Sequence, residues 1–89
     1  MPYSKDQVRL NLDTAATYRI SVQGYLEDSW ADRLAGMKIK IGSRMDQAPV
    51  TSLVGRLQDQ VELVGVLNSL YELRLPILSV ELISIEEKR

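Results

Sequence analysis

Apolar and polar residues alternate in several segments of the chain, and this pattern predicts four β-strands. The strands fall at residues 18–26, 37–42, 50–57 and 77–85. Within the third strand, Gly55 indicates a bulge or a close approach of another backbone. The polar residues 43–49 predict a short loop between the second and third strands, which favours an antiparallel hairpin.

Two helices are predicted between these strands. Ser29, with Asp32 three residues later, can cap a short helix that ends at Gly36. A longer helix begins at Asp59 with Glu62, because both side chains can accept hydrogen bonds from its first N–H groups. Its apolar stripe consists of Leu63, Val66, Leu67, Leu70 and Leu73, and the helix ends before Pro76.

The predicted element order is β-α-β-β-α-β, which predicts an α+β fold. This order is that of a ferredoxin-like two-layer sandwich, in which one long and one short helix cover a four-stranded sheet. We assign residues 17–89 to this single domain and residues 1–16 to an N-terminal appendage of uncertain structure. In the appendage Val8, Leu10 and Leu12 fit a strand, whereas Val8, Leu12 and Ala15 fit a helix.

Composition removes most catalytic chemistry from consideration. The 89 residues suit one domain, and they include neither cysteine nor histidine. A thiolate nucleophile, a His-based triad and a cysteine or histidine zinc site are therefore excluded. We also find no cluster of carboxylates at ligand spacing, so the sequence predicts no catalytic residues, no metal and no cofactor. The chain is not expected to be an enzyme.

Charge and hydropathy bear on partners and location. The net charge of −1 argues against binding to a phosphate backbone, although Arg19, Lys38 and Lys40 could form a small basic strip on the sheet. No apolar segment approaches the roughly 20 residues that a membrane-spanning helix needs. The first residues lack the apolar region of a signal peptide. These features predict a cytoplasmic protein that binds neither nucleic acid nor membrane.

Residues 18–81 carry a recognisable set of motifs. They are Tyr18-Arg19-Ile20, Val22-Gln23-Gly24, Trp30, Pro49-Val50-Thr51, Asp59-Gln60, Gly65 and the segment from Leu75 to Glu81 with the sequence LPILSVE. With these motifs the chain resembles a group of small uncharacterised bacterial proteins. The resemblance supplies no activity that could be transferred to this chain.

A weaker resemblance is to ACT-type regulatory domains. It rests on the segment from Asp59 to Leu63, followed by Leu67 and the last strand. In ACT domains an Asp-x-Pro-Gly turn leads from a strand into a helix and lets a ligand approach the backbone. Here Val61 and Glu62 replace the Pro-Gly pair. The resemblance implies a small-ligand site at Asp59 and Gln60.

The chain also has more apolar residues than a two-layer fold of its size can cover. The long helix carries a second apolar stripe of Val64, Tyr71 and Leu75. If the last strand alternates regularly, Leu78, Val80 and Leu82 lie on one face, and Ile77, Ile83 and Ile85 lie on the other. A sheet with helices on one face should be polar on the other. A second subunit or the appendage must therefore cover the second face.

These observations predict a small, non-catalytic interaction module that self-associates as a homodimer through its sheet face or last strand. The expected interface consists of Val64, Tyr71, Leu75, Ile77, Ile83 and Ile85. A larger protein is a further partner that this surface could bind. The alternative interpretation is an ACT-like domain that senses a small ligand.

Overall fold

The structure is a computed structural model that describes residues 10–44 and 47–86. Its elements are β1 (Ala16–Gln23), the 3-10 helix η1 (Asp28–Leu34), β2 (Lys38–Arg44), β3 (Gln47–Leu57), α1 (Gln60–Glu72) and β4 (Ile77–Ile85). The predicted α+β class is confirmed. The predicted order of strands and helices along the chain is also confirmed.

The four strands form one sheet in the order β2-β3-β1-β4, and every neighbouring pair is antiparallel. Because β3 and β4 are both antiparallel to β1, they run in the same direction on either side of it. The connection through α1 therefore passes from one neighbour of β1 to the other. The strands β2 and β4 lie at the two ends of this order.

The core is built on the two central strands. Every second residue of β1 is buried, and each stands opposite a residue of β3 on the same face of the sheet. The pairs are Ala16 with Leu57, Tyr18 with Gly55, Ile20 with Leu53 and Val22 with Thr51. Leu34 of η1 and Val66 and Leu70 of α1 belong to the same buried cluster. Both helices thus pack on this face, which we call the helix side.

Gly55 lies at a close approach of the backbone, as its position in β3 predicts. A Cβ atom at this residue would lie 3.1 Å from the Cα and Cγ atoms of Met37, which is fully buried. Glycine therefore lets the segment that leads into β2 lie directly against the helix side of β3.

The helix α1 begins as predicted. The Asp59 side chain accepts a hydrogen bond from the Glu62 backbone N–H (2.9 Å), and the Glu62 carboxylate accepts one from the Gln58 N–H (2.8 Å). The first bond satisfies a donor that a helix start otherwise leaves free, and the second ties the residue before the N-cap to the first turn. The capping aspartate is thus part of the local fold.

The short helix differs from its prediction. The element is a 3-10 helix with Glu27 at its N-cap position, where no side chain caps the backbone, so the predicted cap by Ser29 is wrong. Short connecting segments commonly adopt this tighter form. Trp30 is half-buried against the core and has the Arg33 guanidinium carbon 5.3 Å from its ring centroid. Burial of Leu34 anchors the segment to the core.

The loop predicted at residues 43–49 is wrong for residues 43–44 and 47–49, which belong to strands. The strands β2 and β3 extend as far as Arg44 and Gln47, which pair with each other, while residues 45 and 46 lie outside the described part. Ala48 and Pro49 are exposed. The segments Ser43-Arg44 and Gln47-Ala48-Pro49 contain no large apolar residue, so no alternation marks them as strands in the sequence.

We expect Asp59→Ala to destabilise the protein by about 1 kcal/mol, because the substitution leaves the Glu62 N–H at the start of α1 without its acceptor. Urea unfolding followed by circular dichroism measures this change. Asp59→Asn is the matched control and should lose much less, since an asparagine oxygen can accept the same bond. Equal stability of Asp59→Ala and the unmodified protein would contradict this role.

Candidate interaction surface

The last strand is apolar but not covered. No residue of β4 is buried, whereas four of the eight residues of β1 are. Five large side chains of β4 are between 41% and 49% exposed: Ile77, Leu78, Val80, Leu82 and Ile83. The strand packs against β1 on one edge, and α1 packs against β3 and η1. The helix layer therefore does not cover β4 as it covers the central strands.

Two irregularities in the pairing of β1 with β4 change which face its residues occupy. The register shifts between Thr17 and Tyr18 and again between Ser21 and Val22, so that Leu78 and Ile83 have no direct partner. As a result Ile77 stands opposite Val22, and Ile85 stands opposite Ala16.

Paired residues share a face, and the buried residues of β1 lie on the helix side. Ile77 and Ile85 pair with two of them and therefore also lie on the helix side. The same holds for Val80 and Leu82, which stand opposite Ile20 and Tyr18. The regular alternation assumed from the sequence, which separated Ile77 and Ile85 from Val80 and Leu82, is wrong. The apolar residues of β4 are therefore concentrated on the helix side.

The second stripe of α1 points towards this strand. Ser69 and Leu73 line a cavity of about 230 Å³ together with residues of η1, so this flank of α1 faces η1. Tyr71 is two residues from each of them, or about 160° around the helix. Val64 lies on the same flank as Tyr71, seven residues away. Since η1 packs against β2, at the other end of the strand order, the Val64–Tyr71 flank faces β4.

Leu75 is fixed at the junction of α1 and β4. Its side chain is half-buried against the core, and its Cδ2 atom lies 2.9 Å from where a Cβ on Gly24 would stand. Gly24 has a φ of 124°, which side chains rarely allow. The next residue, Pro76, accepts a hydrogen bond from the Gln23 N–H (2.9 Å). The entry into β4 is thus held tightly against the end of β1.

We call the resulting apolar region the β4 surface. It consists of Val64, Tyr71, Leu75, Ile77, Leu78, Val80, Leu82, Ile83 and Ile85. Of the residues predicted for an interface, Ile77 and Ile85 share the helix side with Val80 and Leu82, and Leu75 immediately precedes β4. The β4 surface also includes Leu78, Val80 and Leu82, which the sequence did not assign to an interface. Sequence reasoning missed these three because it placed them beneath a helix. No sequence signal reports how far a helix layer extends across a sheet.

The opposite, open face of the sheet is polar. The Arg19 Nε atom lies 2.6 Å from a Glu81 carboxylate oxygen, and Arg56 is hydrogen-bonded to Glu86. The bond and the charge of Glu86 raise the pKa of Arg56 above its ordinary value. In the described part of the chain, the predicted basic strip is thereby reduced to Lys38 and Lys40, because Arg19 is paired with a carboxylate.

The residues predicted to bind a ligand lie at the start of α1. Asp59 caps the helix, and the Gln60 side-chain amide donates to the Tyr18 hydroxyl at 3.4 Å. A larger cavity, of about 530 Å³, lies at the other end of the helix and is lined by Tyr71, Glu72, Arg74, Leu75 and Pro76. Neither Asp59 nor Gln60 lines this cavity.

The described part of the N-terminal appendage lies beside the ends of two elements. The Leu12 carbonyl accepts from the Gln60 N–H, and the Ala15 carbonyl accepts from the Glu86 N–H, both at 2.9 Å. Leu10 and Leu12 are themselves exposed. Residues 1–9, on which cover by the appendage would largely depend, lie outside the described residues.

Membrane-spanning helices and metal-binding clusters are both absent from residues 10–44 and 47–86. In these ranges no helix has the length and apolar character needed to cross a membrane. Within the same described ranges, no three carboxylate side chains are grouped closely enough to hold a metal ion.

Comparison with known protein families finds a match. A family model described as a domain of unknown function (DUF8691) matches residues 17–81. The chain belongs to this family. The DUF8691 match begins in β1 and ends in β4, so it includes the core except Ala16, and the β4 surface except Leu82, Ile83 and Ile85. The predicted membership in an uncharacterised family is confirmed. No curated protein and no solved structure matches the chain.

Substitution of alanine for two glycines should change the free energy of unfolding in opposite directions. We expect Gly24→Ala to destabilise the protein by about 1–3 kcal/mol, because its φ is unfavourable for alanine and the Leu75 side chain occupies the space. Gly65→Ala should stabilise it by up to about 1 kcal/mol, since nothing lies within 4 Å of the added methyl group on α1. Urea unfolding of both variants measures the changes. A stable Gly24→Ala protein would show that Leu75 is not held as described.

Proposed function

We propose that the chain is a non-catalytic interaction module that forms a homodimer through the β4 surface. The observation that carries the proposal is the exposure of five large aliphatic side chains on one strand, each between 41% and 49% exposed. Scattered single apolar residues are normal on protein surfaces, but a contiguous group marks a place where another molecule binds.

The free energy at stake is large for so small a domain. Full burial of a large aliphatic side chain contributes roughly 1.5–3 kcal/mol, so a half-exposed one forgoes about 1 kcal/mol. Five such residues on β4 therefore forgo about 5 kcal/mol, which is comparable to the total stability of a small domain. A partner that covers β4 recovers much of this free energy.

A second copy suits this surface because of its symmetry. A twofold dimer uses the same patch on both subunits, so a patch must be complementary to itself. Apolar side chains satisfy this requirement since they need no partner of opposite charge. The one ionised side chain of β4, Glu81, lies on the open face and is paired with Arg19. A larger protein could bind the same surface, but it would compete with the second copy.

We also propose the ferredoxin-like arrangement for this fold. The position of β1 between β3 and β4, which run in the same direction, supports it. Packing of both η1 and α1 residues into one buried cluster supports it as well. In this arrangement both helices lie on one face of the sheet.

Ligand sensing is a second candidate function, which the cavity at the end of α1 supports. Its volume of about 530 Å³ lies in the range of small-molecule sites, and its lining combines Tyr71 with the charged side chains of Glu72 and Arg74. This location differs from the Asp59–Gln60 site that the ACT resemblance implies.

A thermal-shift screen of amino acids and nucleotides tests ligand sensing. A ligand that binds this cavity at 100 times its Kd should stabilise the protein by about 2.7 kcal/mol and raise Tm. Arg74→Ala should abolish the shift if the ligand is an anion, whereas Arg33→Ala, outside the cavity lining, should not. Failure of every compound to raise Tm would contradict this candidate and leave the dimer proposal intact.

Val80→Glu should dissociate the dimer without unfolding the chain. The substitution places a charge in the centre of the β4 surface on both copies, and loss of two buried valines alone weakens Kd by about 100-fold. Analytical ultracentrifugation of the full chain over a range of concentrations measures Kd.

Val54→Glu is the matched control, because Val54 is also an exposed strand valine but lies on the open face opposite Lys38 and Arg19. It should leave the dimer unchanged. Circular dichroism of both variants verifies folding. A monomer at micromolar concentration for the unmodified chain, or equal Kd values for the two variants, would refute self-association through β4.

A further inference from the structure

Within residues 10–44 and 47–86, no strand pairs with the outer edge of β4. The strand stands at the end of the sheet order, and its partner among the described strands is β1 on the inner edge. In an antiparallel ladder, alternate residues direct their N–H and C=O groups to opposite edges. Roughly half of the N–H and C=O groups of β4 therefore point away from β1. An exposed edge of this kind is a template for another strand.

Symmetry restricts how two copies of β4 can pair. A twofold axis perpendicular to the sheet keeps every side chain on the face it already occupies and makes the two strands antiparallel. Residues that pair directly must share a face. Both conditions hold only if the axis passes at one residue of β4, so that this residue stands opposite the same residue of the second copy. In the regular stretch between the two bulges the candidates are Ser79, Val80, Glu81 and Leu82.

Charge and polarity distinguish these four registers. An axis at Glu81 places two carboxylates directly opposite each other, which destabilises a strand pair. An axis at Ser79 places Glu81, on the open face, opposite Ile77, on the helix side, so that these two residues do not share a face. An axis at Leu82 places Glu81 opposite the apolar Ile83. An axis at Val80 has none of these defects, because it places Glu81 opposite Ser79.

We propose that two copies pair antiparallel along β4 about a twofold axis at Val80, which forms a continuous eight-stranded sheet. This inference rests on the self-association proposed above and specifies its geometry. In this register Ile77 of one copy faces Ile83 of the other, and Leu78 faces Leu82. Leu75, just before the strand, comes close to Ile85 of the second copy. Four of the six interface residues predicted from sequence thereby contact one another.

The same geometry covers the helix side of β4. The Val64–Tyr71 flank of α1 faces β4 in each copy, so two such flanks stand on either side of the paired strands. Val80 and Leu82 of both copies form the floor between them. The open face remains polar across the junction, where Ser79 and the Arg19–Glu81 pair of each copy lie. Strand pairing and burial of the β4 surface therefore occur together.

Disulfide cross-linking of the full chain tests the register, because the natural sequence contains no cysteine. Directly opposed residues have Cα atoms about 4.5–5.5 Å apart, which suits a disulfide. Val80→Cys should therefore cross-link to its own copy under mild oxidation in most of the protein. Ser79→Cys and Glu81→Cys should each cross-link poorly alone, since their own copies are about 8 Å away. Mixing these two variants should produce the cross-linked heterodimer efficiently.

Lys40→Cys, on the exposed face of β2, is the control for random collision and should remain largely unlinked. Efficient linking of Glu81→Cys or Ser79→Cys alone, with little linking of Val80→Cys, would overturn this register. If the unmodified chain is still a dimer by ultracentrifugation in that case, the proposed function survives. A monomeric chain that links no better at residue 80 than at residue 40 would overturn both.

Discussion

The helix layer of this domain is narrower than its sheet, and the other features depend on this mismatch. The central strands β1 and β3 supply most of the buried strand residues, and η1 and α1 close the core over them. The strand β4 gains hydrogen bonds from β1 but little burial, although its composition is that of a core strand. Exposure of a strand so apolar to water costs free energy, which a molecule that lies against the strand would recover.

The two faces of the sheet therefore have different roles. The open face carries serines and paired charges such as Arg19–Glu81, which keep it hydrated. The helix side carries the core and, at its β4 end, the β4 surface. The bulges at Leu78 and Ile83 increase this difference, because they turn both ends of β4 so that Ile77 and Ile85 face the helix side. The proposed dimer uses both properties, since apolar residues supply affinity and Glu81 restricts the register.

The sequence predicted elements well where one face of an element is covered and the other is wet. The helix α1 with its Asp59 cap is the best example. The β-rich apolar run also indicated the bounds Ile77–Ile85 of β4 correctly, although the helix layer does not cover this strand. Prediction failed at residues 43–44 and 47–49, where the strands contain no large apolar residue that could alternate with polar ones, and at Ser29, where a 3-10 helix formed without a side-chain cap. The bulges in β4 escaped prediction because aliphatic residues occupy both odd and even positions of this strand. Such a sequence gives no sign of a register shift. How much of β4 the helices cover depends on the packing of α1 against η1 and β3, which single-residue patterns do not encode.

Hydrogen exchange of the β4 backbone amides at several protein concentrations tests the central claim most directly. In the monomer, the β4 amides that point away from β1 are exposed to water. In the proposed dimer, they are hydrogen-bonded to the second copy. We predict that the protection of β4 rises with concentration in the range where the dimer forms, while the protection of β1 and β3 stays constant. Strong protection of β4 that is independent of concentration would mean that the chain covers its own last strand. Absence of protection at every concentration would mean that nothing covers it, and either result would contradict the account.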